Sequence, residues 1–420
     1  MDVLNYKEHD PIDGFREKLE SVGINPFDLK LDPEDPNRYL GLSYDYVRQQ
    51  FFANYYIGAC WINKEKDIKF AVLPKVNLDY ARMFMSCWDD TDADIQSKLA
   101  DIYHIDLDAP LINVPGMDVE IMPLIILHFA KLMEQLLKHS LKSDYVTREE
   151  NLQSKIKGKL LFAQHLKRNV LQQHLDRNYC RYQEYSIDCL ENRILKKALT
   201  FSRRFLEGHK FSNHEKVMSL LTKELEAFTN VSEEVPVAQL KSFRVNPLYR
   251  EYLQALKVAK IILQRFSYDI RKVDYDNKDH QMPPFWINMP LLFELYVLQL
   301  LKRKYGDVIA YHITSRGNEI DFGKRDEKII IDAKYIPTWS TSVDHDNVRQ
   351  LSGYARNISI RYKLIGQIDT TTILPCIIIY PDIDNGLLSL PNTPVLNNLS
   401  GKEVPGYLNF YRLGVKLPKK

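Results

Sequence analysis

Residues 318–335 read NEIDFGKRDEKIIIDAKY. Two apolar runs flank a charged segment, which is the pattern of a β-hairpin. Within those runs stand Asp321, Asp332 and Lys334, where Ile and Phe otherwise build a core. Side chains two apart on a strand share a face. Ile330, Asp332 and Lys334 are therefore expected on one face, and Ile329, Ile331 and Ala333 on the other. Glu319 and Asp321 share a face of the preceding strand. A turn through Gly323–Lys324–Arg325–Asp326–Glu327 brings Asp321 beside Asp332. Two adjacent carboxylates repel, and without a counter-charge one must take up a proton. A divalent cation resolves the conflict, and Mg²⁺ binds through one or two carboxylates plus waters and phosphate oxygens. A lysine beside them can orient a water or offset negative charge in a transition state. The competing reading of the same residues is a surface hairpin carrying an Asp332–Lys334 ion pair.

The flanking sequence bears on that choice. NMPLLFELYVLQLLKRKYG places a single acid, Glu294, in an apolar helix ahead of the hairpin. A lone carboxylate in such surroundings is costly unless it is paired or ligates something. Downstream, DNVRQLSGYAR puts Gln350 and Tyr354 four apart, on one helix face. An acid in a helix, an Asp, a DxK strand and a QxxxY helix then follow one another in order.

The whole chain has 420 residues, more than one hydrophobic core usually spans. It carries 45% hydrophobic and 27% charged residues and a net charge of +2, so no protein-wide basic surface announces nucleic acid. Five scattered cysteines without a CxxC pair exclude a zinc ribbon and a disulfide framework. The amino-terminal MDVLNYKEHDPIDGF has acids and no apolar run, unlike a secretory signal. Residues 122–141 are amphipathic and contain His128, Lys131, Glu134, Lys138 and His139, so they read as a helix and not a membrane span. The expectation is a cytoplasmic protein.

Three regions follow from texture. Residues 1–115 hold the strand candidates FFANYYIGACWI and IKFAVLPKV beside the Pro/Asp-rich loop LDPEDPNR, and suggest a small β-rich domain with a loose amino-terminal arm. Residues 116–275 turn helical: LENRILKKALTFSRRFLEG stripes Leu190, Ile194, Leu195, Ala198 and Leu199, and LYREYLQALKVAKIILQRF follows Asn246–Pro247. Residues 276–420, after DNKDHQMPPF, order as helix, strand, strand, helix, strand, an α/β sandwich. The fold class expected is α+β and multidomain.

The acid helix, Asp, DxK strand and QxxxY helix together resemble the PD-(D/E)xK nuclease superfamily and its RecB-like branch. Ile320 stands where that pattern often has Pro, and the second acid is Asp332. Over more of the chain, EYSIDCLENRILKKAL, NPLYREYLQALKVAKIIL, MPLLFELYVLQLL and IIIDAKY, in that order, resemble the McrC family. YYIGACWI with AVLPKV, and KIKGKLLFAQHLKRN, resemble it too. The resemblance implies a restriction-endonuclease-like domain over 276–420 and an amino-terminal domain that docks on a partner. That partner is a McrB-like AAA+ GTPase, a hexameric ring recognising double-stranded DNA carrying 5-methylcytosine. It implies Mg²⁺-dependent endonuclease activity, with Asp321, Asp332 and Glu294 as metal ligands and Lys334, Gln350 and Tyr354 completing the site. GTP would be bound by the partner. This chain has no GxxxxGK[ST], and IKGKLL lacks the glycine spacing.

Two basic clusters are candidates for the DNA path: Lys155, Lys157, Lys159, Lys167 and Arg168, and Lys302, Arg303 and Lys304. Such contacts position a duplex without reading its sequence; a solvated helix face is the plainer reading of any one of them. Asn192 and Arg193 have no defined role at this level. Two other readings stand beside the leading one: a RecB-like nuclease serving an ATP-driven helicase or a CRISPR-type system, and an inert adaptor that only activates the ring.

Overall fold

The structure, a computed structural model, describes residues 2–28, 41–76, 78–88, 98, 101–106, 109–113, 121–208, 214–235, 250–269, 281–315, 318–336, 345–366 and 371–419. The loop LDPEDPNR and the pair Asn246–Pro247 lie outside these residues. Strands and helices are mixed throughout, arranged in several sheets. Among the described residues no helix is long and apolar enough to cross a membrane.

The chain divides into two compact units. Met1–Asp118 and Lys278–Lys420 together form one, where the sequence suggested separate regions. The physical reason is a strand exchange. Phe285–Asn288, from the carboxy-terminal region, pairs antiparallel with both Tyr56–Asn63 and Tyr103–Ile105. The resulting five-stranded sheet continues through Ile68–Leu73 to Asp2–Lys7. The amino-terminal arm, expected to be loose, is thus an edge strand paired in parallel from Asp2↔Ile68 to Lys7↔Leu73. Phe15, Leu19, Phe70, Val72 and Trp286 fill the core of this layer. Gly58 sits opposite Trp286 with φ of 151°, and a Cβ there would lie 2.0 Å from the Phe285 carbonyl oxygen.

The second sheet of this unit runs Ile309–Ser315, Asn318–Lys324, Ile329–Ala333, Cys376–Pro381, Phe410–Val415. The first three strands are antiparallel and the last two join in parallel. Beyond the order read from sequence, the sheet gains an edge strand at each side, Ile309–Ser315 next to the hairpin and Phe410–Val415 past the expected strand Cys376–Pro381. Helices His345–Arg356 and Ile358–Ile365 cover it, packing Val348, Leu351, Ile360 and Leu364 on Ile320, Ile330 and Ile378. The turn itself is tighter than expected. Gly323 and Lys324 belong to the strand, and a Cβ on Gly323 would come within 2.5 Å of Leu364. Lys324 is fully buried against Asp326 at 2.6 Å and Glu327 at 2.7 Å. Helix Met289–Tyr305 starts at an Asn288 cap, whose side chain accepts from the Leu291 N–H at 3.2 Å, with Pro290 in the first turn.

The other unit, Val119–Asn277, contains the expected helices, Ile121–Leu136, Leu190–Gly208, His214–Ala227 and Arg250–Asp269. Ile194, Leu195, Ala198 and Leu199 are buried, as the stripe predicts. It is not wholly helical. Asp144–Gln153 and Arg177–Ser186 form a long antiparallel pair joined by the short strand Lys159–Leu160. Its sequence, DYVTREENLQ, has no apolar alternation to betray a strand. Cross-strand pairs hold it instead: Arg181 to Glu149 at 2.5 Å and Tyr145 against Tyr185 at 5.3 Å. Asn192 and Arg193 gain a structural role at its base. Asn192 Nδ2 donates to the Lys142 and Ile187 carbonyls, and Arg193 forks onto Asp188 at 2.8 and 2.6 Å.

Two glycines give opposite expectations. Gly58→Ala drives a methyl into backbone and should cost about 2–3 kcal/mol, whereas Gly353→Ala, in an open helix position, should gain ~1 kcal/mol. Thermal unfolding followed by circular dichroism should show midpoints moving in opposite directions; equal shifts would contradict this packing.

Candidate active site

The hairpin register runs Lys324↔Ile329, Gly323↔Ile330, Phe322↔Ile331. Continued by one pair, it sets Asp321 opposite Asp332. The strands are pinned there by Asp321 itself, whose Oδ2 accepts the Ala333 N–H at 2.7 Å. Asp332 is 4% exposed. Lys334 follows the strand end, held by its own N–H on the Ile379 carbonyl at 2.9 Å. Its Nζ lies 3.0 Å from Asp332 Oδ2. The contact is a charge pair without hydrogen-bond alignment, since that buried oxygen has no hydrogen-bond partner.

The electrostatics follow from this placement. Burial pushes the Asp321 carboxyl well above the usual range, and the charges of Asp332 and Glu294 push it further. Burial likewise raises Asp332, against the pull of Lys334. For Lys334, burial alone favours the neutral amine, but Asp332 and Asp321 outweigh it and raise its pKa. The lysine is therefore an ammonium at neutral pH, a charge and proton donor and not a base.

Glu294 projects from helix Met289–Tyr305, and its charge acts on both aspartates while its carboxylate is held by partners of its own. Tyr311 donates its hydroxyl to Glu294 Oε1 at 2.9 Å, and His312 Nε2 meets the same oxygen at 2.7 Å. Consecutive residues of a regular strand point to opposite faces. Both reach Glu294 because His312 has a left-handed backbone, φ 50°, which interrupts the alternation. His312 also contacts Glu319 and Lys98. Burial opposes the Glu294 charge, but these partners, His312 foremost, bring its pKa below the ordinary value. Gln350 and Tyr354 are joined to each other, Nε2 to hydroxyl at 2.9 Å, and Tyr354 is near enough to add to the field at Lys334.

The basic clusters are divided. Lys302 lines a groove of about 830 Å³ along the edge strand, with His312, Glu319, Arg325 and Lys363. Arg303 donates to the Ser86 carbonyl at 3.3 Å and Lys304 to Asn392 at 2.7 Å, so both serve the fold. Lys155, Lys157, Lys159, Lys167 and Arg168 are exposed in the other unit, where Lys157 lies over the Tyr182 ring and Arg168 over Tyr179. Tyr311 and His312 escaped sequence reasoning; the only signal was two polar residues in the strand ahead of the hairpin.

Among the described residues no three His, Cys, Asp or Glu side chains are already gathered as a metal cage. The aspartate pair nevertheless suits Mg²⁺, which asks for one or two carboxylates and keeps its waters. Two crowded carboxyls, Asp332 buried and Asp321 half-buried, with one oxygen that lacks a hydrogen bond, are the donor set such an ion would satisfy.

Without metal, the pair should destabilise the fold at high pH. A carboxyl with a raised native pKa binds more protons folded than unfolded, so its contribution is lost as pH rises through that pKa. Asp321→Asn should therefore melt above wild type at pH 8 in chelator, with the gap closing as pH is lowered. A variant melting below wild type at pH 8 would contradict it.

No curated protein matches the chain. Among solved structures, a half-complex from the tetradecameric assembly of Thermococcus gammatolerans McrB AAA+ hexamers with bound McrC is similar at 15% identity and a TM-score of 0.37, covering 99% of this chain and 94% of that one. The Thermococcus gammatolerans McrBC complex is similar at 17% identity and a TM-score of 0.30, covering 72% of this chain and 88% of that one. Likeness at this level carries no functional argument. The family model for the McrBC 5-methylcytosine restriction system component, however, matches residues 53–359, from the second amino-terminal strand pair through the Gln350/Tyr354 helix. The chain belongs to the family of McrBC 5-methylcytosine restriction system components.

Proposed function

We propose that this chain is the nuclease subunit of a modification-dependent restriction system, a Mg²⁺-dependent endodeoxyribonuclease of PD-(D/E)xK type. It would work with a McrB-like AAA+ GTPase ring, stimulate that ring's GTPase, and cut double-stranded DNA carrying 5-methylcytosine. The observation that carries the reading is the Asp321–Asp332–Lys334 juxtaposition in a chain of this family.

Asp321 and Asp332 would hold the ion, with Glu294 completing its shell through water. A divalent cation bound there supplies an acidified water and neutralises charge on a phosphoryl oxygen. Lys334, kept protonated by both aspartates, donates to a phosphoryl oxygen or orients the attacking water. Tyr311 and His312 fix the Glu294 carboxylate and so orient the outer partner of the site. Gln350 and Tyr354 face the lysine side and orient it or the DNA backbone. Lys302 and the exposed lysines of the other unit would take phosphates, positioning DNA while the partner reads the mark.

The test is cleavage of circular methylated plasmid by the reconstituted complex. Asp332→Ala should lose more than the roughly 10–100-fold expected from disturbing an outer-shell partner, with the partner's GTPase still stimulated. Wild-type cleavage by that variant would sink the nuclease assignment. Circles left intact by the unmutated complex, with free ends degraded, would point to an exonuclease. Addition of Mg²⁺ should raise the melting temperature of the unmutated chain and leave Asp332→Ala unmoved.

A further inference from the structure

Outside the site described so far, Glu8, just past the amino-terminal edge strand, is wholly buried in the same unit and has no part in the chemistry. Its Oε1 accepts the Lys75 N–H at 2.9 Å and the Tyr335 hydroxyl at 3.2 Å. Its Oε2 is buried with no hydrogen-bond partner. Burying a carboxylate this way is costly. Burial pushes its pKa up to about 7, against the pull of the Lys75 N–H, the Tyr335 hydroxyl and the Lys75 charge.

Tyr335 is the residue after Lys334, and the paired strand has already ended at Ala333. Beyond that point the Lys334 backbone keeps one sheet bond, to Ile379, and the Tyr335 side chain is the next anchor. The Tyr335 ring lies between Tyr55, edge-on at 5.7 Å, and Phe293 at 5.9 Å. Phe293 is the neighbour of Glu294. One buried ring thus supports the residue beside each of two site residues, and its hydroxyl ends on Glu8. Glu8 is itself fixed, its N–H donating to the Leu73 carbonyl at 2.9 Å.

We propose that Glu8 is a positioning residue for Lys334, acting through the Tyr335 hydroxyl, so that the amino-terminal sheet is a working part of the nuclease site. This rests on reading Lys334 as a member of that site. Glu8 Oε1 accepts from the Tyr335 hydroxyl whether or not a proton sits on Oε2, and so holds that hydroxyl in one direction. With that anchor gone, Tyr335 can shift and carry the Lys334 ammonium away from Asp332, where a displacement of about 1 Å costs up to ~10²-fold in rate.

The experiment uses the full chain with its partner ring and reads two quantities, cleavage turnover and amine labelling of Lys334 by peptide mapping. Glu8→Ala and Tyr335→Phe should each lower kcat roughly 10- to 100-fold at unchanged KM for DNA. The double variant should be no worse than either single one, because both cut the same link. Glu8→Gln, which can still accept from the Tyr335 hydroxyl, should stay near wild type and reports that the site folds. Lys334 should label several-fold faster in Glu8→Ala and Tyr335→Phe than in wild type. Unchanged labelling in both, or kcat losses that multiply in the double variant, would overturn the proposal. Absence of any cleavage by the unmutated complex would instead remove the nuclease reading, and the labelling would still decide whether Glu8 positions Lys334.

Discussion

The arrangement turns on two carboxyls forced together in the interior of a sheet. Asp321 and Asp332 are cross-strand neighbours in a hairpin built largely of Ile and Phe, Asp332 buried and Asp321 half-buried. Burial opposes ionisation of both, the charge of Asp332 opposes that of Asp321 further, and Lys334 offsets only part of this. Such a pair is a poor way to stabilise a hairpin and a good way to hold a cation. The surroundings are arranged to keep it in place. Helices 345–356 and 358–365 cover the sheet, the Ala333 N–H locks Asp321, and Tyr311 with His312 fix the Glu294 carboxylate.

A second consequence concerns the boundary between regions. The strand Phe285–Asn288 enters the amino-terminal sheet and then caps the Glu294 helix with Asn288. The same few residues therefore join the amino-terminal sheet and start the helix that carries Glu294. Tyr335 ties the two again from the far side, through Tyr55 and Glu8. The candidate site is built by both layers of one unit, which is why residues distant in the chain bear on it.

What was legible in the sequence follows from how local the signal is. The hairpin, its facing and the approach of Asp321 to Asp332 could be read because strand alternation and a short turn act over a dozen residues. The helix stripe at Ile194, Leu195, Ala198 and Leu199 was legible for the same reason. The double grip of Tyr311 and His312 on Glu294 was not, because it depends on one left-handed residue that sequence pattern does not announce. The ribbon 144–186 was missed because polar cross-strand pairs, and not apolar alternation, hold it together. Glu8 and Tyr335 meet across 327 positions, beyond the reach of any local rule. The family resemblance supplied the expectation of a partner ring and of a methylated substrate, which neither pattern nor geometry contains.

The central claim is that the Asp321–Asp332 pair is a divalent-cation site. Crystals of the chain soaked in Mn²⁺ and measured at the manganese edge test it directly. An anomalous peak within coordination distance of an oxygen from each aspartate, lost in Asp332→Ala, is the predicted result. No peak at the pair in crystals that take up manganese elsewhere would contradict it.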